Sequence, residues 1–97
     1  MALDFQNINH AAMQALPILL ARWLPDGKRS GCEWVARNPT RNDRKPGSFS
    51  VNLRTGKWGD FAAGDKGGDP IALYAYLRGI RQGDAARELA QLLRVSP

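Results

Sequence analysis

Residues 48–61 read SFSVNLRTGKWGDF, and this stretch decides the fold. Phe49, Val51 and Leu53 alternate with small polar residues, which is the pattern of a strand with one buried face and one wet face. The segment RTGK at 54–57 is a tight connection in which the glycine supplies a positive φ. The last four residues then return as the antiparallel partner, so the stretch predicts a β-hairpin.

The same alternation predicts which face of this hairpin is buried in the core and which is exposed to solvent. Phe49 and Phe61 are expected in the core, as large aromatic residues usually are. Ser50 and Asn52 fall on the wet face and have no bulky neighbour on that face of their own strand. We therefore expect the wet face to be open to a ligand.

The sequence before the hairpin predicts a helix and a further strand. Apolar residues recur at helical spacing over residues 8–24, where Pro17 either kinks the helix or begins a second short one in its first turn. Glu33–Ala36 is a short candidate strand. The hairpin therefore belongs to a small antiparallel sheet that follows an N-terminal helical segment.

The sequence after the hairpin predicts two helices. Asp69 and Pro70 form an N-cap and a first helical residue, and Gly79 marks the end of that helix. A last helix is expected over residues 83–93. The order of elements predicts an α+β fold, in which a small antiparallel sheet is flanked by an N-terminal helix and two C-terminal helices. We expect residues 1–97 to form a single domain.

The composition excludes several classes of function. One cysteine, Cys32, rules out a disulfide within the chain, and one histidine, His10, leaves too few ligands for a structural zinc site of about four Cys or His. No phosphate loop of the form G-x-x-x-x-G-K-[ST] and no cluster of carboxylates occur. We therefore expect a chain that is not an enzyme and needs no cofactor. No apolar run approaches the roughly 18 residues of a membrane span, so we expect a cytoplasmic location.

The positive charge is concentrated in the middle of the chain. The net charge is +5, and residues 28–57 alone carry eight Lys and Arg against two acidic residues, a net +6. A concentrated basic segment within a folded domain indicates a polyanionic partner such as nucleic acid.

Aromatic residues alternate with these basic ones, as in proteins that bind single strands. We expect phosphate contacts from six basic residues: Arg37, Arg41, Arg44, Lys45, Arg54 and Lys57. Trp58 and Trp34 fit either a base-stacking role or a place in the core, and Lys66 could close the edge of the surface.

Three segments together resemble a known family. They are NPTRNDRKPGSFSV at 38–51, KWGDFAAG at 57–64 and GGDPI at 67–71. They resemble the N-terminal zinc-binding domain of bacterial and phage DNA primases, which reads approximately C-P-x-H-x-E-x-x-P-S-F-x-V, then C-x-x-C, a G-G-[DN] turn and a helix. The resemblance covers about residues 28–78 and implies a zinc-ribbon-like sheet.

The chain departs from that family at the metal. The positions that match the four zinc ligands hold Asn38, Arg41, Asp60 and Ala63, none of which offers a thiolate or an imidazole. The resemblance therefore implies a metal-free variant. The binding energy of a structural zinc, about 10–16 kcal/mol in zinc-finger peptides, must come from other contacts.

The resemblance implies a module that binds single-stranded template DNA, or RNA, in a primase-like replication protein of a plasmid, phage or mobile element. Catalysis in that family belongs to a separate domain. The alternative is a protein-interaction module, in which the helices at 8–24 and 84–93 dock a replicative helicase, a polymerase or a primase catalytic subunit. An independent enzyme is the third and least favoured interpretation.

Overall fold

The computed structural model describes residues 3–40 and 47–95. Within them the chain forms four helices and five strands: α1 (Phe5–Gln14), α2 (Leu16–Trp23), β1 (Lys28–Ser30), β2 (Glu33–Ala36), β3 (Phe49–Asn52), β4 (Trp58–Asp60), β5 (Lys66–Gly67), α3 (Pro70–Arg78) and α4 (Gln82–Leu93). This confirms the predicted α+β class. As predicted, helices both precede and follow the strands along the chain.

The five strands form one antiparallel sheet in which spatial order follows chain order, β1-β2-β3-β4-β5. The predicted hairpin is present as β3 and β4, and Gly56 in its turn has φ 80°. Phe49 and Val51 are fully buried, as the alternation predicts. The sheet is thus a meander that places neighbouring strands side by side.

The N-terminal segment is two helices rather than one kinked helix. α1 ends at Gln14, and Pro17 lies in the first turn of α2, where its missing N–H leaves no helical hydrogen bond unmade. Asp4 caps α1 by accepting a hydrogen bond from the backbone N of Asn7 at 3.0 Å. Of the two alternatives for Pro17, the structure has the second.

The two C-terminal helices follow their sequence signals closely. Asp69 caps α3 by accepting from the backbone N of Ala72 at 2.8 Å, and Gly79 ends that helix in the left-handed conformation with φ 67°. Among the residues that the structure describes, no helix combines the length and the apolar character that crossing a bilayer requires.

The core has two parts on one side of the sheet. The first joins α2 and α3 to the strands, with these buried residues: Leu16, Leu20, Leu24, Ala36, Phe49, Val51, Trp58 and Leu73. The second joins α1, α3 and α4, with these: Ile8, Ile71, Ala75, Ala85, Ala86, Leu89 and Ala90. Trp23 packs against both parts. We call the side of the sheet that faces this core the inner face.

Candidate nucleic-acid interface

The strand register defines a second, outer face of the sheet. One residue from each strand stands in a single row across it: Lys28, Val35, Ser50, Gly59 and Lys66. These residues alternate along their strands with Trp34, Val51 and Trp58, whose side chains belong to the inner face. The middle of the outer row is small, because Ser50 and Gly59 carry almost no side chain.

An open depression of about 430 Å³ lies over this small floor. It is lined by nine residues: Glu33, Ser50, Asn52, Thr55, Lys57, Trp58, Gly59, Phe61 and Lys66. The depression is shallow rather than enclosed, so it can accept part of an extended chain more readily than it can enclose a small molecule.

Besides Arg29, whose Nε donates to the backbone O of Gly31 at 3.4 Å, four cations around the sheet have no acidic partner within ion-pair distance among the described residues. Lys28, Arg54, Lys57 and Lys66 are all exposed, and Lys57 and Lys66 line the depression itself. An exposed, unpaired lysine can neutralise a phosphate without first breaking an ion pair. These residues were all expected to contact nucleic acid, apart from Lys28, whose place in the outer row comes from the register.

Arg37 has a structural partner instead. Its Nε lies 3.0 Å from Asp26 Oδ2, and its backbone N donates to the same oxygen at 3.1 Å. Partial burial alone would raise the pKa of Asp26, but the hydrogen bonds from Arg37 outweigh it and hold that pKa below its ordinary value of 3.8. Arg37 therefore ties the end of β2 to the turn before β1, which limits its use as a phosphate ligand.

Three of the expected phosphate contacts lie outside the described residues. They are Arg41, Arg44 and Lys45. Their flanking residues, Thr40 and Gly47, stand where the chain passes from β2 to β3, so these three stay predictions from the sequence.

The structure corrects the stacking role of the tryptophans. Trp58 is only 7% exposed, and its ring centroid lies 4.9 Å from that of Tyr76 and 6.0 Å from that of Phe49. Trp34 is partly buried against the same core, and its Nε1 donates to the backbone O of Leu24 at 3.2 Å. Both indoles belong to the inner face, so neither presents a ring to a base on the outer face.

Phe61 is the aromatic residue that the outer face does expose. Its expected place in the core is wrong, since it is 83% exposed. Its backbone N donates to Ser48 O at 2.8 Å, which extends the β3–β4 pairing and keeps the alternation that turns Trp58 inward and Phe61 outward. Residues three positions apart in an extended segment face opposite sides of a sheet. The exposure of Phe61 could therefore have been predicted from the sequence once Trp58 was assigned to the core.

Three of the four positions that were expected to correspond to zinc ligands come together in the fold. Asn38 Nδ2 donates to Asp60 Oδ2 at 2.7 Å, and the backbone amides of Ala62 and Ala63 donate to Asp60 Oδ1 at 2.9 and 3.1 Å. Asn38 and Asp60 are each 1% exposed. Three of the four ligand-equivalent positions therefore meet around one buried carboxylate; the fourth, Arg41, is outside the described residues.

This contact extends into a larger polar cluster that reaches α3. Asn38 Nδ2 also donates to the hydroxyl of Tyr76 at 2.7 Å, and that hydroxyl donates to Asp65 Oδ2 at 2.8 Å. Thr40 Oγ1 donates to Asn38 Oδ1 at 2.7 Å. The cluster joins the ends of β2 and β4 to a helix, which is the kind of cross-link that a bound metal would make. Within residues 3–40 and 47–95, no group of three or more His, Cys, Asp or Glu is placed to hold a metal ion.

A comparison with protein-family models and with curated proteins finds no match for this chain. The resemblance to primase zinc-binding domains therefore depends on the sequence segments themselves.

Proposed function

We propose that this chain is a single-stranded nucleic-acid-binding module that acts through the outer face of its sheet and catalyses no reaction by itself. The observation that carries the proposal is the outer face: a small floor between lysines that have no ion-pair partner within residues 3–40 and 47–95, with an exposed aromatic ring at one end. Phosphates would contact Lys57 and Lys66, and a base would stack on Phe61.

The shape of the face favours a single strand over a duplex. Phe61 can stack only on a base whose flat surface is accessible, and in a duplex that surface is covered by neighbouring bases. The floor of Ser50 and Gly59 lets such a base approach the backbone of the sheet closely.

The primase-like segments supply the biological setting of the proposal. They favour single-stranded template DNA as the ligand and a replication protein of a plasmid, phage or mobile element as the context. A replicative helicase, a polymerase or a primase catalytic subunit would then act beside this module.

A fluorescence-anisotropy titration with a short single-stranded oligonucleotide over a range of salt concentrations tests the proposal. We expect tight binding at low salt, and the variants Lys57→Ala and Lys66→Ala should each lower the slope of log K against log salt by about 0.7. Arg81→Ala, an exposed cation outside the sheet, removes the same charge and should leave the slope nearly unchanged. Absence of salt-dependent binding at low salt would overturn the proposal.

The protein-interaction alternative has one observation in its favour. Ile18 on α2 is 68% exposed, and it lies outside both parts of the core. If docking is the function, Ile18→Lys should abolish binding to a purified helicase, polymerase or primase subunit while the oligonucleotide titration stays unchanged. A loss of oligonucleotide binding in Lys57→Ala with normal docking in Ile18→Lys would favour the first proposal.

A further inference from the structure

The edge of the sheet at β1 is open. β1 is the first strand in the sheet order, and within the described part of the chain it pairs with β2 alone. All three of its residues are exposed, and among the described elements no helix makes an extensive contact with it. The opposite edge strand, β5, has only two residues. The edge of β1 is therefore the longer of the two edges that a further strand can join.

Hydrogen bonds in the neighbouring strands show which backbone groups of β1 point outward. Cys32 O accepts from the backbone N of Leu53, so Cys32 directs its backbone groups towards β3. Successive residues of an antiparallel strand direct these groups to opposite sides, so those of Trp34 also point towards β3. Arg29 is the direct partner of Trp34, and its own N–H and C=O therefore point away from β2. One hydrogen-bond donor and one acceptor in strand geometry are thus directed to the open edge.

Two cations flank these backbone groups. Lys28 and Arg29 are both exposed, and neither has an acidic side chain within ion-pair distance among the described residues. Lys28 stands in the outer row, so the side chain of Arg29 lies on the other face of the sheet. A strand paired with β1 would place one residue opposite Arg29 and the next opposite Lys28. Acidic side chains suit both positions, because opposite charges in a cross-strand pair attract.

The same charges disfavour a second copy of this chain at the edge. Two β1 strands that pair antiparallel about Arg29 would set the Arg29 side chains of both copies directly opposite each other, where like charges repel. Nucleic acid fits the edge poorly, because a phosphate diester can accept from the Arg29 N–H but has no donor for the C=O. An extended peptide supplies both groups, as it does wherever a strand adds to the edge of a sheet.

We propose that the edge of β1 is a docking site for an extended acidic peptide of a partner protein, which joins the five-stranded sheet as a further strand. The backbone of the peptide pairs with the N–H and C=O of Arg29, and two consecutive acidic residues meet Arg29 and Lys28. This surface is the edge of the sheet rather than its outer face. The inference therefore goes beyond the proposed function and does not depend on it.

A titration with the peptide acetyl-Thr-Val-Asp-Glu-Val-Thr-amide, followed by two-dimensional NMR, tests the proposal. We expect chemical-shift changes centred on β1 and slower hydrogen exchange of the Arg29 amide, because the bound strand covers that N–H. The same peptide with lysines in place of its two acidic residues should bind about tenfold more weakly, since both charge pairs become repulsive. Absence of shift changes at β1, or equal affinity for the two peptides, would overturn the proposal.

Two further measurements separate backbone pairing from charge. Arg29→Pro removes the outward N–H, which the pairing with β2 does not use, and should abolish peptide binding; a circular-dichroism melt checks that the variant is folded. The acidic peptide methylated at the amide nitrogens of its two acidic residues keeps its charge and should not bind the wild-type protein. Binding of the methylated peptide at full affinity would contradict strand addition, whatever the stability of the variant.

A matched pair of variants tests the charges, and two outcomes identify a different occupant. Arg29→Ala keeps the N–H and should weaken binding of the acidic peptide about two- to fivefold, whereas Arg81→Ala, an exposed cation outside the sheet, should leave it unchanged. If a single-stranded oligonucleotide slows exchange of the Arg29 amide as much as the peptide does, nucleic acid occupies the edge and the proposal is wrong. A wild-type dimer in sedimentation that Arg29→Pro abolishes would assign the edge to a second copy instead.

Discussion

The two faces of the sheet are built from the same strands and have opposite characters. On the inner face, Phe49, Val51 and Trp58 are between 0 and 7% exposed. On the outer face, Gly59 is partly open and Phe61 is 83% exposed. Because side chains alternate along a strand, the register alone decides which residues stabilise the fold and which are offered to a ligand.

The glycines that lie against the two inner-face tryptophans are closely packed. A Cβ at Gly67 would overlap the indole of Trp58, and a Cβ at Gly27 would overlap that of Trp34. At Gly59 on the outer face, the same atom would meet only ordinary contacts at 3.5 Å or more. A larger side chain at these inner-face positions must displace an indole, whereas one at Gly59 need not. Paired substitutions on the two faces can therefore test this difference.

The largest expected effect comes from truncating one phenylalanine on each face. Phe49→Ala leaves a cavity in the core and should lower the free energy of unfolding by about 3–5 kcal/mol. Phe61→Ala removes an exposed ring and should change that free energy by less than about 0.5 kcal/mol, while weakening binding of single strands. Urea denaturation of both variants compares them, and similar losses of stability would contradict the separation of the faces.

A substitution in the polar cluster around Asn38 and Asp60 should have the next largest effect on stability. Asp60→Asn turns one acceptor into a donor that faces Asn38 Nδ2, so the hydrogen bond between these two buried side chains is lost. We expect a loss of about 1.5–3 kcal/mol in the free energy of unfolding, measured by urea denaturation. Asp84→Asn, on the exposed surface of α4, is the matched control and should have little effect.

Adding a methyl group to a glycine on each face sharpens the comparison further. Gly67→Ala must displace the Trp58 indole and should destabilise the fold by about 1–3 kcal/mol. Gly59→Ala should leave the thermal midpoint nearly unchanged but weaken single-strand binding, since it raises the floor of the depression. A stable Gly67→Ala variant would show that the inner face is less tightly packed than the structure indicates.

The smallest expected effect concerns pH and the edge of the sheet. The folded state holds the pKa of Asp26 below 3.8, so its pairing with Arg37 stabilises the fold above that pH and is lost as the pH falls through the folded pKa. Between about pH 5 and about pH 3, Asp26→Asn should therefore lose less stability than the wild type. Identical urea midpoints for both proteins at each pH would show that this surface pair contributes nothing measurable.

Local signals in the sequence predicted most of the fold. Alternation fixed the buried positions Phe49 and Val51, and Asp69 and Gly79 marked both ends of α3. These signals work because each depends on neighbours along the chain. Pro17 allowed two outcomes, and packing decided between them.

The candidate site was harder to predict because it depends on register and on distant partners. Trp58 and Phe61 differ in burial because they lie three positions apart along one extended segment and so face opposite sides, which composition cannot show. The contact between Asn38 and Asp60 spans 22 residues, so no local pattern could indicate it. The expected correspondence to zinc-ligand positions singled out both residues, but it did not predict a hydrogen bond between them.

The order of the strands has a consequence for how the chain folds. Each strand pairs with its neighbour in sequence, so the sheet can grow from one hairpin by successive local pairings. The strand pairings are therefore local, whereas α1 must pack on α3 and α4 from the other end of the chain, and we expect refolding within about milliseconds to seconds in a stopped-flow experiment. The connection between β2 and β3 is the longest in the sheet and has the largest loop-closure entropy. Because that entropy grows only with the logarithm of length, adding residues to this connection should slow refolding less than adding the same number to a shorter turn of the sheet.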